Sequence, residues 1–439
     1  MQDTILALST PVGGALAVVR LSGPKTKEIL GRVFSGSAEH RAVNYGKLSD
    51  EDGMIDRVTC VYYAAPQSYT GEDMAEITTH GGQAVVRRAM AALLAAGARM
   101  AGPGELTRRA FINGKLDLTQ AEAVMDLIDA SAERGARAAA EQLEGSVSRS
   151  VNAVADALLD ALSGINAAID YPDELEEDVT SALPATLSRA KSELREMIEG
   201  GLRGRVVREG ARLVLLGRTN AGKSSLMNAL LGRERAIVTQ YEGTTRDVLY
   251  EETEFSGLPV VLTDTAGLRE TLDPVEGIGV SLARDAAKRA DLLLLTFDCS
   301  RALDEQDAKL LEETKHLPRV ALLSKSDLPP VLSAEELFAR TGLEVFVVSA
   351  ATGDGVNELK RAVAERLLPE EEQPLVTNAR HIEALLDAKN ALEGALVAQD
   401  LDCMATDIRA ALIALNSITG HEVDEAVLER IFSRFCVGK

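Results

Sequence analysis

Apolar and polar residues follow different rhythms in successive parts of the 439-residue chain. Residues 1–118 contain short apolar runs closed by glycine or proline, which predict strands, together with two stretches of helical spacing. From Thr119 to about Arg208, and again from Ala379 to Arg434, apolar residues recur at three-four spacing and predict long amphipathic helices. The first strands are predicted at Ile5–Leu8, Ala15–Leu21, Val58–Ala64 and Ala75–Thr79, and the first helices at about Lys25–Val33 and Gln83–Ala96.

Between the two helical stretches, apolar runs alternate with helical patterns, which is typical of a mostly parallel sheet covered by helices. The chain is therefore predicted to be multidomain, α/β plus all-α. An N-terminal α+β domain precedes a helical domain, which an inserted doubly wound α/β domain interrupts. We expect these domains at residues 1–118, at 119–209 together with 375–439, and at 210–374. The acidic segment 171–178 is expected to be a solvated loop that starts the next helix.

Composition narrows the class of protein. No run of eighteen apolar residues occurs, and the N-terminus lacks a charged segment followed by an apolar one, so neither a membrane span nor a secretory signal is expected. The four cysteines are widely spaced, which favours a reducing, cytoplasmic location. The formal net charge of −21 argues against nonspecific nucleic-acid binding by the whole surface. Basic residues prevail between Arg87 and Lys115, and a solvated face is the favoured interpretation there.

The stretch Gly217–Ser224 carries the most specific chemistry in the sequence. It follows the apolar run Leu213–Leu216 and precedes a helical pattern, which is the strand–turn–helix context of a phosphate-binding loop. Glycines allow such a loop to curl until its backbone N–H groups and the helix N-terminus face phosphate oxygens. Lys223 is expected to reach the β- and γ-phosphates, and the Ser224 hydroxyl is expected to bind Mg²⁺. An ordinary glycine-rich turn is the less favoured alternative.

Four further motifs follow in the order found in a Ras-like GTP-binding domain. Gly243–Asp247 comes after the first helix, where a threonine hydroxyl could close over Mg²⁺ and the γ-phosphate. Asp264–Gly267 ends an apolar run, so that its carboxylate could hold Mg²⁺ through water. Ser324–Asp327 and the pair Ser349-Ala350 end two later apolar runs. Each motif is weak alone, but their order and spacing together predict one nucleotide site on a doubly wound sheet.

The fourth motif determines which base is bound. The Asp327 carboxylate can accept hydrogen bonds from guanine N1–H and its exocyclic amine, a pair of donors that adenine lacks. The apolar stem of Lys325 can lie along the base. Ser324 stands where GTPases usually carry asparagine and is too short to bridge the base edge and the phosphate loop. We therefore expect GTP specificity with a weaker guanine affinity than an asparagine would provide.

The residues alone leave the catalytic group open. Leu268 occupies the position at which Ras-like proteins place a water-orienting glutamine, so hydrolysis is either very slow or depends on another group. The next eight residues offer Arg269, Glu270, Asp273 and Glu276. From the residues alone, an exposed and mobile switch is the favoured interpretation of these side chains.

Seven motifs distributed over the whole chain have a common resemblance; they are Thr70–Asp73, His80–Gly82, Asn113–Leu118, Asn220–Ser225, Gly243–Asp247, Asp264–Glu270 and Phe435–Lys439. Together they resemble the MnmE (TrmE) family of tRNA modification GTPases. The resemblance implies an N-terminal domain that dimerises and binds a formyl-tetrahydrofolate, and a helical domain that the G domain splits. It also implies that G domains dimerise when K⁺ and GTP are bound, with K⁺ in the place of an arginine finger.

The resemblance also implies roles for individual residues. The water-positioning glutamate falls on Glu276, which reverses the interpretation from the residues alone, and Lys223 acts on the phosphates. Cys436 is either a nucleophile or a packed side chain, and the sequence does not favour one. By the same resemblance, Mg²⁺ would be bound by Ser224 and Thr245, and K⁺ by Asn220, Thr239, Tyr241 and Thr244. The folate would be bound by Arg20, Glu76, Lys115 and Lys439. GTP contacts are expected at Asn220, Ala221, Gly222, Lys223, Ser224, Ser225, Thr239, Gln240, Tyr241, Glu242, Gly243, Thr244, Thr245, Asp264, Thr265, Ala266, Gly267, Ser324, Lys325, Asp327, Ser349, Ala350 and Ala351.

The function that the resemblance implies is GTP hydrolysis coupled to tRNA modification. With a flavin-dependent, FAD-binding partner of the MnmG (GidA) kind, a homodimer would install a carboxymethylaminomethyl or aminomethyl group at C5 of the wobble uridine. The folate, 5-formyl- or methylene-tetrahydrofolate, would supply the one-carbon unit. Two departures occur, Thr219 for the usual proline and Ser324 for asparagine. A ribosome-assembly GTPase and a folate-sensing scaffold that scarcely hydrolyses GTP are the alternatives.

Overall fold

A computed structural model describes residues 3–232, 250–264, 286–368 and 376–438, with the backbone alone at 172–179, 202, 203, 250 and 264. The chain divides into two compact units, each of which is described by itself. The first comprises Met1–Met125, Gln142–Leu194 and Ala384–Lys439. The second comprises Asp126–Glu141 and Arg195–Glu383.

The first 125 residues form a sheet with helices packed on it. Its strands are β1 Ile5–Leu8, β2 Leu16–Ser22, β3 Val43–Asp50, β4 Gly53–Tyr63, β5 Met74–His80 and β6 Arg99–Met100. Its helices are α1 Thr26–Val33, α2 Gln83–Ala95 and α3 Glu105–Ile112. The strand order is β3-β4-β5-β2-β1-β6, and neighbours pair antiparallel except β1 and β6.

Alternation along the strands gives this sheet two different apolar faces. Leu6 on β1 belongs to a core that includes Val19 of β2 and Leu93 of α2. Ile5 and Ala7, its neighbours on β1, face the other way and pack in a separate cluster beside α3. Because side chains alternate across a strand, one short apolar run supplies both cores.

In the part of the chain that the structure describes, seven further helices lie before and after the segment that contains the second sheet. They are α4 Leu118–Asp129, α5 Glu133–Leu143, α6 Ser146–Asp170, α7 Pro172–Glu209, α12 Ala379–Val397, α13 Leu401–Thr419 and α14 Glu425–Phe432, with the intervening numbers given below. In the first unit α6 packs along α13, and buried apolar residues recur on each at helical spacing. The last residues return to the N-terminal sheet, since the Ser9 hydroxyl donates to the Gly438 carbonyl at 2.8 Å.

The second unit is built on a second sheet. Its strands are β7 Ala211–Gly217, β8 Tyr250–Phe255, β9 Leu258–Asp264, β10 Leu292–Asp298, β11 Arg319–Ser324 and β12 Val345–Val347. Its helices include α8 Lys223–Leu231, α9 Glu305–Glu313, α10 Ala334–Thr341 and α11 Val356–Leu367. The order β12-β11-β10-β7-β9-β8 is parallel except at β8, which is antiparallel to β9.

The strands of this second sheet are buried on both faces. All seven residues of β10 are buried, and apolar clusters lie on the two sides of the sheet. A parallel sheet covered on both faces requires such continuous apolar runs. The expected fold class, with α+β, helical and doubly wound α/β parts, is confirmed.

The structure departs from the sequence prediction at several points, and one of them is α3, a third helix in the first 118 residues where two were predicted. The edge strand β3 was not predicted, and its Val43 and Tyr45 are exposed, so that it lacks a buried apolar rhythm. The expected loop at 171–178 is wrong beyond its first residue, since α7 begins at Pro172, a position where proline's missing N–H costs nothing. The expected solvated basic face is wrong for Arg109, which is fully buried. Among the residues with described positions, no helix has the length and apolar character to span a bilayer.

Candidate functional site

The phosphate loop connects β7 to α8. At Gly217 an added Cβ would lie 2.5 Å from the Thr296 carbonyl oxygen on β10, closer than real Cβ contacts allow. Asn220 and Gly222 have φ angles of 64° and 88°, and Gly222 is the N-cap of α8. These left-handed residues turn the chain sharply before the helix begins at Lys223. The loop therefore has the curled backbone and helix N-terminus that bind phosphate.

Lys223 is held at the mouth of this loop. Its side chain is buried, and its ammonium donates to the carbonyl oxygen of Arg218 at 2.7 Å. The Arg218 guanidinium forms an ion pair with Asp304, the N-cap of α9, whose carboxylate also accepts the backbone N–H groups of Gln306 and Asp307. The loop is thus attached to a helix that the sequence analysis did not connect with it.

The expected base-binding motif lies beside the phosphate loop. Ser324 ends β11, and its hydroxyl is 2.7 Å from the carbonyl oxygen of Ala221 and 2.9 Å from that of Phe297. Because a hydroxyl has one proton, these two carbonyls share it. Ser324 therefore contacts the phosphate loop, but its side chain has no second polar group with which to contact a base.

Asp327 and Ser349 come together at the ends of β11 and β12. The Ser349 hydroxyl donates to Asp327 Oδ1 at 2.6 Å and accepts the N–H groups of Ala351 and Thr352 at 3.2 Å each. The carboxylate is thereby oriented by a neighbouring side chain. Ala350 lies between these residues in the same turn, so the fourth and fifth sequence motifs form one group.

Lys325 lies between the base motif and the phosphate loop. Its φ angle is 60°, and its ammonium donates to Asp298 Oδ2 at 2.6 Å. Burial opposes the charge on Asp298, but hydrogen bonds from Lys325 and Ser300 outweigh it and lower the pKa of that carboxyl. The motif analysis did not find Asp298, because it belongs to the buried strand β10 and to no nucleotide-binding pattern.

Several expected contacts lie outside the described residues; they are Thr239, Gln240, Tyr241, Glu242, Gly243, Thr244, Thr245, Thr265, Ala266, Gly267, Glu276 and Lys439. Asp264 ends β9, where its backbone pairs with Leu215 of β7 next to the phosphate loop. Ser224 and Ser225 occupy the first turn of α8. Among the described residues, no group of three or more acidic, histidine or cysteine side chains is arranged to hold a metal ion.

A second candidate site is a cavity of about 470 Å³ in the N-terminal sheet. Two of the expected folate residues, Glu76 and Lys115, line it together with Arg41, Tyr63, Gln67, Ser68, Tyr69 and Met74. A third, Arg20, pairs with Glu76 at 2.8 Å, and its guanidinium lies 5.8 Å from the centre of the Tyr69 ring. The cavity thus combines cations, a carboxylate and aromatic rings, which are the groups that a flat heterocycle with an anionic tail requires.

Neighbouring groups and burial set the chemistry of this cavity. Burial raises the pKa of both Tyr63 and Tyr69, and the charge of Glu76 adds to the effect on Tyr63. Both phenols therefore remain protonated donors at neutral pH. The Lys115 ammonium donates to the Pro66 carbonyl at 3.2 Å. The sequence analysis missed the tyrosines, although Tyr69 directly precedes the Thr70–Asp73 motif.

The C-terminal segment lies against the N-terminal domain. The Gly104 N–H donates to the Cys436 carbonyl at 3.4 Å, and Val437 forms a bridge with Pro103. At Gly438 an added Cβ would lie 2.1 Å from the Leu8 carbonyl, so that only glycine fits this close approach. Cys436 is exposed, which keeps its thiol accessible to a reactant.

Comparison with known proteins shows which family the chain belongs to. A sequence-family model described as the MnmE helical domain matches residues 118–436, and a second family model, described as the GTP-binding protein TrmE N-terminus, matches residues 4–115. The tRNA modification GTPase MnmE of Bacillus subtilis strain 168 is 39% identical over 458 residues, covering all of both chains. The chain belongs to the MnmE family of tRNA modification GTPases. The resemblance stated from the sequence is thus confirmed.

Other MnmE proteins are similarly close. The MnmE of Chloroflexus aurantiacus is 43% identical over 454 residues, covering all of both chains, and that of Lactococcus lactis strain IL1403 is 39% identical over 453 residues, covering all of this chain and 98% of the relative. The G domain of the T. maritima FeoB iron transporter aligns over 36% of this chain and 99% of its own, with 28% identity and a TM-score of only 0.30. As a member of the MnmE family, the chain is a GTPase of tRNA modification.

Proposed function

We propose that GTP binds across the ends of β7 and β11 and is hydrolysed there. Its phosphates would lie in the loop at 217–224 and its guanine against Asp327 and Lys325. The observation that supports this most directly is the contact between the Ser324 hydroxyl and the Ala221 carbonyl, because it places the base motif against the phosphate loop. A single nucleotide can then reach both, at the carboxyl ends of parallel strands where such ligands bind.

In this proposal three residues of the loop act together with residues of the segments that follow it. Lys223 neutralises the β- and γ-phosphates, and Ser224 with Thr245 holds Mg²⁺. The Asn220 side chain, with Thr239, Tyr241 and Thr244, would surround K⁺, which supplies the positive charge that an arginine finger supplies elsewhere. The left-handed backbone of Asn220 in the middle of the loop is consistent with such a position. Glu276 orients the attacking water.

The N-terminal cavity is proposed to bind a folate, either 5-formyl- or methylene-tetrahydrofolate. Glu76 would accept hydrogen bonds from the donor face of the pterin, and Arg20 would hold that carboxylate in place at 2.8 Å. Lys115, with Lys439 from the C-terminal segment, would attract the glutamate tail. The return of Val437 and Gly438 to the N-terminal domain supports a part for Lys439.

Together these sites support a role in wobble uridine modification. We propose that a cytoplasmic homodimer acts with an FAD-binding, MnmG/GidA-like partner to install a carboxymethylaminomethyl or aminomethyl group on tRNA. GTP hydrolysis would open and close the G domains, which associate through K⁺. We retain the boundaries 1–118, 119–209 with 375–439, and 210–374 for the folate-binding, helical and G domains. Because this chain has a net charge of −21, we expect the partner to provide most of the contacts with the tRNA.

The cation mechanism can be tested by steady-state GTP hydrolysis. Replacing Na⁺ with K⁺ should raise turnover strongly, and equal rates would remove K⁺ from the mechanism. Glu276→Ala should lower turnover and leave GTP affinity intact. Glu344→Gln, which alters an exposed ion pair with Arg366, is the matched control. Unchanged turnover of Glu276→Ala would return this residue to an ordinary switch position.

Mass spectrometry of wobble nucleosides from cells lacking the protein tests the modification itself. The 5-aminomethyl-type derivatives should disappear and return with the wild-type gene. Normal nucleosides together with a ribosome-assembly defect would favour a ribosome-assembly GTPase. Normal nucleosides together with tight folate binding and scarcely any hydrolysis would favour a folate-sensing scaffold.

A further inference from the structure

The end of β10 and Cys299, the residue that follows it, contact the base motif at four points. The Phe297 carbonyl oxygen lies 2.9 Å from the Ser324 hydroxyl, and the Cys299 N–H donates to the Ser324 carbonyl at 3.0 Å. The Cys299 thiol donates to the Lys325 carbonyl at 3.0 Å, and Asp298 accepts the Lys325 ammonium at 2.6 Å. The end of β10 together with Cys299 therefore contacts both the backbone and the side chains of this motif.

The position of Lys325 is unusual for a residue with a side chain. Its φ angle of 60° lies in the left-handed region, which is unfavourable for a residue with a side chain, so other contacts must hold it there. Its stem passes close to the phosphate loop, since an added Cβ at Gly222 would lie 3.8 Å from Lys325 Cε and 3.9 Å from Cγ. The stem thus runs from the base motif across the start of α8.

Asp298 is itself fixed in place. It is buried, and besides Lys325 its carboxylate accepts the Ser300 N–H at 2.9 Å and the Ser300 hydroxyl at 2.6 Å. A carboxylate oriented by two other donors holds an ammonium in one geometry, unlike an exposed pair whose two side chains remain free to move. Asp298 therefore determines where the Lys325 stem lies.

We propose that Asp298 is a positioning residue for the nucleobase: by holding the Lys325 ammonium, it keeps the lysine stem extended against one face of the purine. This inference rests on the proposed GTP site and deepens it. The stem contact gains importance in this chain because Ser324 uses its hydroxyl on two backbone carbonyls and has no amide for the base. In this proposal Asp298 acts through Lys325 and makes no direct contact with the nucleotide.

The test is a double-mutant cycle in the full-length protein. Dissociation constants for a fluorescent GDP are measured for wild type, Asp298→Asn, Lys325→Met and the double variant. Lys325→Met keeps the stem but removes the ammonium that Asp298 holds. Because a hydrogen bond to a charged group is lost, we expect about a tenfold weaker affinity for each single variant. The double variant should be no weaker than Lys325→Met alone.

Two further measurements distinguish positioning from general damage. Inorganic pyrophosphate, which occupies only the phosphate loop, is measured by competition, and its affinity should change less than twofold in Asp298→Asn. Asp298→Glu, which keeps the charge, should restore most of the affinity for GDP. Glu344→Gln, on an exposed ion pair with Arg366, should bind GDP as wild type does.

Several results would overturn the proposal. One is wild-type GDP affinity in Asp298→Asn. Another is a double variant in which Asp298→Asn weakens GDP binding by the same factor as it does in the wild-type background. An equal loss of pyrophosphate and GDP affinity would do so as well. If Asp298→Asn does not fold, Lys325→Met decides, since unchanged affinity there removes the only group through which Asp298 could act. Failure of the wild-type protein to bind any guanine nucleotide would instead refute the proposed GTP site.

Discussion

The Ser324 hydroxyl lies 2.7 Å from the Ala221 carbonyl oxygen and joins the end of β11 to the phosphate loop. Ser324 is buried, so this contact is shielded from water and fixes the distance between the two halves of the nucleotide site. Serine therefore performs one of the two tasks expected of an asparagine at this position. The contact to the base is the task that remains without a side-chain donor.

Replacing Ser324 with asparagine should tighten GDP binding. A side-chain amide can keep the contact with Ala221 and add one to the base, and a hydrogen bond of about 1 kcal/mol corresponds to roughly a fivefold gain in affinity. Ser324→Ala should weaken GDP binding by a similar factor, because it takes the hydroxyl donor from the two carbonyls. Fluorescent GDP titration measures both. An unchanged or weaker affinity of Ser324→Asn would mean that the buried position cannot accept the larger side chain.

The close approach at Gly217 predicts a second effect. In Gly217→Ala, the new Cβ would lie 2.5 Å from the Thr296 carbonyl, so β7 must move away from β10. We expect a loss of about 2 kcal/mol in the free energy of unfolding and more than a tenfold loss of GTP affinity. Thermal unfolding and nucleotide titration test this. Gly31→Ala is the control, because its exposed position in α1 has no atom within 4 Å, and it should be neutral or stabilising by up to about 1 kcal/mol.

The sequence predicted the parts of the site that repeat a local pattern. The run Leu213–Leu216 became β7, and the loop, the start of α8 and the ends of β11 and β12 follow the expected order. Such features depend on neighbours in the chain, through strand alternation, glycine conformation and helix spacing. A single sequence is sufficient for them.

Contacts between residues distant in sequence could not be predicted in the same way. Asp298 and Lys325 meet because β10 and β11 pair in parallel, with Asp298 opposite Ser324. Arg109 forms ion pairs with acidic residues from three different segments. Its burial could therefore not be predicted from the basic residues near it in the sequence. The edge strand β3 was missed because exposed Val43 and Tyr45 break the buried alternation.

The N-terminal cavity leads to a prediction about ligand charge. Lys115→Ala should weaken 5-formyl-tetrahydrofolate binding about tenfold, since an ammonium that faces an anionic tail is lost. The free energy of unfolding of the variant should change little, because the Lys115 ammonium makes an exposed hydrogen bond of 3.2 Å to the Pro66 carbonyl. Calorimetry at two salt concentrations should also show a smaller salt dependence. Lys47→Ala, on an exposed position of β3, is the control. Equal affinity of Lys115→Ala and wild type would separate this lysine from the folate tail.

The buried guanidinium of Arg109 predicts a large effect on stability. It pairs with Asp3 at 2.9 Å, Glu72 at 2.9 Å and Glu105 at 3.0 Å, and its side chain is fully buried. Arg109→Met would leave these carboxylates without the shared cation and should cost about 3–5 kcal/mol in the free energy of unfolding. Arg99→Met is a matched control, since Arg99 pairs with the same Asp3 and Glu105 but is half exposed, and should cost about 1 kcal/mol or less.

The pH dependence of the Arg109→Met deficit follows from the same cluster. Burial opposes ionisation of Glu105, but hydrogen bonds from Arg99, the Gly102 N–H and Arg109 lower its pKa from 4.5 to about 2. A carboxyl with a lowered pKa in the folded state adds stability above pH 4.5, and that stability is lost as the pH falls through about 2. The deficit of Arg109→Met relative to wild type should therefore be largest above pH 4.5 and shrink below it. Urea unfolding at pH 7 and near pH 3 measures the difference, and a deficit that stays constant or grows in acid would show that the carboxylates are not its origin.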